Sequence, residues 1–153
     1  MIEKQEFFYD SADNKTKIHY LKWTPKAVKI KAVLQISHGM LEHIKRYDDF
    51  ACYMAEKGIL VVGNDHLGHG DSVLNEECRG YFCESDGNKT VLQDINKLKN
   101  IIKNEYPHIP YFILGHSMGS YLLRQYITIY GNDLQGAIIM GTGNQPFGLV
   151  KSG

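Results

Sequence analysis

Residues 111–120 read YFILGHSMGS. Four apolar residues run into Gly115-His116-Ser117-Met118-Gly119, the spacing G-x-S-x-G. A serine at that spacing sits on a strained turn between a strand and a helix. Ser117 then needs a positive φ, which is costly for a residue with a Cβ. Gly115 and Gly119 remove side chains that would collide across the turn. The flanks agree. "YFIL" (111–114) is short and apolar, as a buried strand is, and the pattern predicts a helix over 118–130 stopped by Gly131.

Working outward, the same alternation continues. Residues 5–10 and 17–24 read as two strands around the polar turn "SADNK", a hairpin. "KAVLQIS" (31–37) is a strand that runs straight into His38-Gly39. Tyr47, Phe50, Ala51, Met54 and Ala55 share one helical face, and Gly58 stops that helix. "ILVV" (59–62) is apolar on both faces, as in a buried parallel strand. Thr90 and Gln93 fit a capping box. Val91, Ile95, Leu98 and Ile102 then line a helix that ends near Pro107, and "GAIIMG" (136–141) is the last strand. Strands alternating with helices predict an α/β fold: a mostly parallel sheet with helices on both faces.

In such a sheet the loops leaving the carboxyl ends of the strands share one edge, where ligands bind. Three loops meet there: "HGMLEHIKRY", "DHLGHGDS" and "GHSMGS", all rich in glycine and histidine. The helix after Ser117 turns its first N–H groups toward the reacting centre. The N–H of Met118 can donate to a developing oxyanion, and the second donor is the N–H of Met40 in the first loop. Ser117 is therefore the candidate nucleophile.

The segments "HGMLEHIKRYDDFA", "GNDHLGHGDS" and "ILGHSMGSYL" resemble the α/β-hydrolase superfamily. Within it they resemble the monoacylglycerol lipase and lysophospholipase group, also called serine aminopeptidase S33-like or "hydrolase 4" proteins. The likeness extends over about residues 5–143. It implies Ser117 as nucleophile, an oxyanion hole from the Met40 and Met118 N–H groups, and an apolar acyl pocket under a separate cap. The expected substrate is a small acyl ester or lipid, cleaved through an acyl-enzyme without a cofactor.

Other constellations read as support for this site. Asp65, His66 and His69 form a loop fixed by side-chain to backbone hydrogen bonds, with Gly68 and Gly70 enabling its turn, rather than a metal site. Glu42 and Arg46 read as an ion pair holding the oxyanion loop. His38 and Gly39 shape that loop, with His38 orienting backbone rather than taking protons. His116 adjoins Ser117 and projects away from the nucleophile's side chain.

Bulk properties close off several classes. The 153 residues carry 17 basic and 17 acidic side chains, so nothing points to nucleic acid or an anionic membrane. The charged N-terminus is no signal peptide, and no apolar run is long enough for a transmembrane segment. Cys52, Cys78 and Cys83 are odd in number and irregular in spacing, as expected of reduced thiols in a cytoplasmic protein.

The inventory is nonetheless incomplete for a hydrolase. The superfamily orders its triad Ser…Asp/Glu…His along the chain. No histidine follows Ser117, and Asp133 is the sole acidic residue after it, ahead of the last strand at the opposite edge. Six strands are countable where the family has eight, and the tail "TGNQPFGLVKSG" reads as the approach to a missing cap. The expectation is the N-terminal part of a longer hydrolase, inactive by itself. The alternatives are a non-catalytic pseudo-enzyme or binding module, or one half of a complemented hydrolase. An exposed last strand also invites self-association.

Overall fold

A computed structural model describes residues 1–144. Most of the expected approach to a cap, residues 142–153, lies outside them. Six strands form one sheet: β1 (Ile2–Asp10), β2 (Lys17–Pro25), β3 (Ala32–Ser37), β4 (Ile59–Asn64), β5 (Tyr111–His116) and β6 (Gly136–Met140). Their spatial order is β1-β2-β4-β3-β5-β6. β3, β4, β5 and β6 run parallel, whereas β1 and β2 are antiparallel to their neighbours. The helices are α1 (Asp48–Glu56), α2 (Gly87–Glu105) and α3 (Met118–Tyr130).

The crossovers explain the layers. The chain steps from β3 outward to β4, then returns across β3 to β5 and continues to β6. Right-handed connections that step in opposite directions place their helices on opposite faces. Accordingly α1 packs with Leu34, Ile36, Val61 and Leu114 on one face. α2 and α3 pack with Val33, Leu60, Val62 and Ile113 on the other. Strand direction reverses its stepping between β3 and β5, so the crevice outside their carboxyl ends is the natural ligand position. Ser117 and the Gly39 loop leave the sheet at that crevice.

Local chemistry sets the element ends. In the β1–β2 turn, the Asp13 carboxylate accepts from the Lys15 and Thr16 N–H groups, both at 2.8 Å. Gly58 (φ 88°) closes α1 and donates to Ala55 O. Two expectations are corrected. Phe50 is 39% exposed, because α1 rests on the sheet through its small residues Ala51 and Ala55. Thr90 is not a cap: α2 begins at Gly87 behind Asp86, and Thr90 N–H already donates to Asp86 O. Gly131 is the C-cap of α3, as expected, and with right-handed angles it leads into a 3-10 turn. At the open edge β6 exposes Ile138, Ile139 and Met140.

Candidate active site

Ser117 occupies the junction of β5 and α3 with φ 52° and ψ −118°. Two glycines permit it. A Cβ on Gly115 would lie 2.4 Å from Gly119 O, and one on Gly119 would lie 2.0 Å from Ser37 O. The first turn of α3 therefore presses directly on the backbone at the end of β3. The serine's backbone is fixed on both sides. Its N–H donates to Met140 O at 3.0 Å, and its carbonyl accepts from Ser120 N–H at 2.9 Å and Ser120 Oγ at 2.6 Å. Its Oγ has no hydrogen-bond partner among the described residues.

The loop after β3, expected to supply an oxyanion donor, comes against this serine. A Cβ on Gly39 would lie 3.2 Å from Ser117 Cβ and 2.8 Å from Glu42 Oε1, so a larger residue would have to displace the Glu42 carboxylate. Buried Glu42 organises the loop. Its Oε1 accepts from Gly39 N–H, from the Tyr47 hydroxyl at 2.7 Å and from His116 Nδ1 at 3.2 Å. Burial alone would raise this carboxyl, but those hydrogen bonds prevail and hold it below the ordinary glutamate range. The expected Glu42–Arg46 pair is present at 3.4 Å, with the Arg46 side chain 69% exposed. Such a pair contributes little. The groups that fix Glu42 are instead Gly39, Tyr47 and His116. His116 points to Glu42 and so ties the serine turn to the oxyanion loop. Neither the Met40 nor the Met118 N–H has a partner among the described residues.

A chain of histidines braces the loops from below. His38 is buried. Its Nδ1 donates to Gly39 O at 2.7 Å and its Nε2 accepts from His66 N–H at 2.9 Å. Burial pushes its pKa down to about 4, so it is a neutral spacer with both nitrogens occupied. His66 reaches Ser37 Oγ at 3.0 Å, and burial lowers its pKa as well. Asp65 accepts from Ile44 N–H, from Asp71 N–H and from His19 Nδ1. A Cβ on Gly70 would lie 2.2 Å from Asp65 Oδ2, which gives that glycine a packing reason beside its φ of 50°.

Sequence reasoning missed His19 and Tyr47 as parts of this scaffold. The signal for His19 was a histidine in the middle of an apolar strand. Burial disfavours its charge, but Asp65 and Glu6 prevail and raise its pKa. Its Nε2 lies 2.6 Å from Glu6 Oε1, out of line for a hydrogen bond. Glu6, His19 and Asp71 are the described residues closest to a metal-ligand cluster. The Lys45 ammonium sits 2.8 Å from Asp71 and 3.7 Å from Glu6, so a cation already serves these carboxylates.

A groove of about 410 Å³ opens beside the serine turn, lined by Met40, Leu41, His69, Tyr81, Phe82 and Met118 among others. It is mostly apolar and has the size of a small-molecule site. A second cavity of about 440 Å³ lies behind Tyr81, Phe82 and Cys83, away from Ser117. Among the described residues no helix is long and apolar enough to cross a membrane.

Comparison with known proteins agrees with this geometry. Residues 28–147 match the family model of serine aminopeptidase, S33 (Hydrolase_4). The chain is 37% identical over 108 residues to a monoglyceride lipase homolog of monkeypox virus, covering 66% of this chain and 34% of that protein. It is 30% identical over 125 residues to a monoacylglycerol lipase of Mycolicibacterium smegmatis, covering 82% and 42% respectively. The solved carboxyl esterase of Bacillus coagulans superposes with a TM-score of 0.89 at 31% identity, over 99% of this chain and 48% of that one. The chain spans about a third to a half of the length of these relatives. With the serine turn between β5 and α3 and this sequence likeness together, the chain belongs to the serine aminopeptidase S33 (Hydrolase_4) family of α/β-hydrolases.

Proposed function

We propose that this chain supplies the nucleophile and oxyanion hole of a serine carboxylic-ester hydrolase acting on a monoacylglycerol or lysophospholipid. One observation carries the reading: Ser117 is held at φ 52° and ψ −118° with Gly39 against it and its Oγ without a partner among the described residues. Ser117 Oγ attacks the ester carbonyl. The new O–C bond forms as the carbonyl π electrons move to oxygen, where the Met40 and Met118 N–H groups receive the charge. Loss of the alcohol leaves an acyl-enzyme, which water hydrolyses to the free acid. The named relatives support the lipid ester, and the apolar groove beside Met40 and Met118 suits its acyl chain.

The proton acceptor for Ser117 lies, in this reading, outside residues 1–153. Asp133 is ion-paired to Lys99 at 2.6 Å and Lys103 at 2.9 Å, beyond the C-terminal end of α3 and so at the opposite end of that helix from Ser117. The exposed β6 edge is where further strands, or a second copy, would add. The free thiols of Cys52, Cys78 and Cys83 suit a cytoplasmic setting.

An alkyl fluorophosphonate read by intact-mass spectrometry tests the proposal. The natural protein should gain one adduct on Ser117, absent from Ser117→Ala. A natural protein that takes no label supports the second reading, a non-catalytic scaffold, which the histidine inventory favours. Residues 1–153 alone should hydrolyse p-nitrophenyl butyrate at background rate. Turnover by them that Ser117→Ala abolishes would place the base among their own histidines.

A further inference from the structure

The groove beside Met40 and Met118 shares a wall with the second cavity. The groove holds about 410 Å³ and the cavity about 440 Å³, and Tyr81, Phe82 and Cys83 line both. These three residues therefore stand between the two spaces. Close backbone approach pins the wall at both ends. Gly80 N–H donates to Gly68 O at 2.7 Å, and a Cβ on Gly68 would lie 2.2 Å from Tyr81 O. At the other end a Cβ on Gly87, the first residue of α2, would lie 2.9 Å from Phe82 Cβ. Two glycines thus leave the room that Tyr81 and Phe82 occupy.

Phe82 supplies most of the partition, since Tyr81 is 52% exposed and Cys83 carries a small side chain. The Phe82 ring packs on the core cluster shared by β3, β4 and α2, and its centroid lies 6.0 Å from that of His69 in the groove wall. The two spaces differ in character. Met40, Leu41 and Met118 make the groove mostly apolar, whereas Lys15, Thr90 and Gln93 also border the cavity behind the wall. An acyl chain gains with each methylene it buries in the groove and then meets an aromatic ring.

We infer that Phe82 is the end wall of the acyl groove and sets the length of acyl chain that the site accepts. The cavity behind it is volume that the ring closes off. The inference rests on the reading of Ser117 as the acyl-accepting serine, and it gives that reading a specificity-determining residue. A chain longer than the groove has two courses. It stops at the ring with its extra methylenes in water, or it displaces a side chain packed on the core. Either course forfeits the gain from further length.

Binding of straight-chain fatty acid methyl esters of increasing length tests this on the natural protein carrying Ser117→Ala. That background prevents turnover. Affinity should rise about fourfold per methylene, the value of one buried CH₂, up to a break, and level off beyond it. The amide resonances of Thr90 and Gln93, which border the cavity and not the groove, should stay still throughout. Phe82→Ala should carry the break to longer chains and make Thr90 and Gln93 respond to them. Adding Cys78→Trp fills the cavity from a side that the groove does not share, and should bring the break back. Phe82→Leu should move the break by a smaller step, which serves where the alanine variant fails to fold. A rise without a break, a break unmoved by the Phe82 variants, moving Thr90 or Gln93 resonances in the Ser117→Ala background alone, or no binding of any ester overturns the proposal. Fluorophosphonate labelling of Ser117 is read separately. A labelled serine with a break that ignores Phe82 sinks only this inference, whereas a Phe82-dependent break without labelling sinks only the catalytic reading.

Discussion

Replacing Ser117 with glycine should stabilise the protein where replacing it with alanine does not. At φ 52° and ψ −118° the residue sits in the mirror-β quadrant that glycine enters freely and a side chain with a Cβ does not. Strain of this kind is worth about 1–3 kcal/mol. Alanine keeps the Cβ and so keeps the strain. It loses only Oγ, which makes no hydrogen bond among the described residues, so its stability should match the parent closely. Glycine releases the strain and gives back roughly 0.5–1 kcal/mol through the freer unfolded chain. The expected net gain is about 1 kcal/mol over alanine, or about 2–4 °C in Tm for a domain of this size. Urea melts of the three proteins should show a higher midpoint for Ser117→Gly at unchanged slope. A glycine variant no more stable than the alanine variant would refute the claim that this turn stores strain. It would also remove the physical reason for thinking the serine is held in place for chemistry.

Other expectations concern its neighbours. Gly119→Ala drives a Cβ to 2.0 Å from Ser37 O and 2.7 Å from His38 O, both main chain, and should cost about 3 kcal/mol or more in urea unfolding. Gly80→Ala is the control: its Cβ meets open space at φ 75°, so the loss should stay near 1 kcal/mol. Glu42→Gln should cost about 1–3 kcal/mol at neutral pH, since three donors lose a charged acceptor. The folded-state pKa of Glu42 is depressed, so its contribution is present above the ordinary glutamate range and lost as pH falls through the folded value. The acid limb of a stability-versus-pH curve should therefore flatten in Glu42→Gln. His38 also has a depressed folded pKa, but as a base: protonation favours the unfolded chain. Its contribution is complete above about pH 6.5 and is lost toward about pH 4, a slope that His38→Gln should remove if that variant folds.

Periodicity carried most of the architecture because it is a local property. The stretch 118–130 alternates apolar faces with the helical period, and α3 has those bounds. Where a second signal was needed, local reading misplaced it. Thr90-x-x-Gln93 has the letters of a capping box, but Asp86 turns at φ 53° and starts the helix one turn earlier, a backbone choice that composition does not encode. Phe50 has the right spacing for a buried face, yet α1 approaches the sheet through two alanines and leaves the larger ring at the margin. The site shows the same division. The glycines around Ser117 were legible because close approach demands them. The partners of Glu42 were not, since His116 comes from a distant segment and joins Gly39 and Tyr47 on the carboxylate only in the fold.

The histidines show what this arrangement accomplishes and what it leaves to others. A loop set rich in imidazoles suggests a ready base for Ser117, and the contacts argue otherwise one residue at a time. His38 spends both nitrogens on backbone, His66 is buried against Ser37, and His19 is held by Asp65. His116 faces Glu42, while His108 precedes β5 at the opposite edge of the sheet. His69 turns Nδ1 to Leu67 O, and its Nε2 is buried out of reach of solvent. Buried His38 and His66 act as rigid, neutral struts, and each fixes a turn of the loops around Ser117. A strut that also titrated near neutral pH would loosen the oxyanion loop whenever it took a proton. Burial that depresses His38 and His66 thus protects the geometry, and it disqualifies them as proton acceptors by the same physics. Any acceptor for the Ser117 proton has to be an imidazole free to change charge, which His38 and His66 are not; His43, exposed in the first loop, is not held in this way.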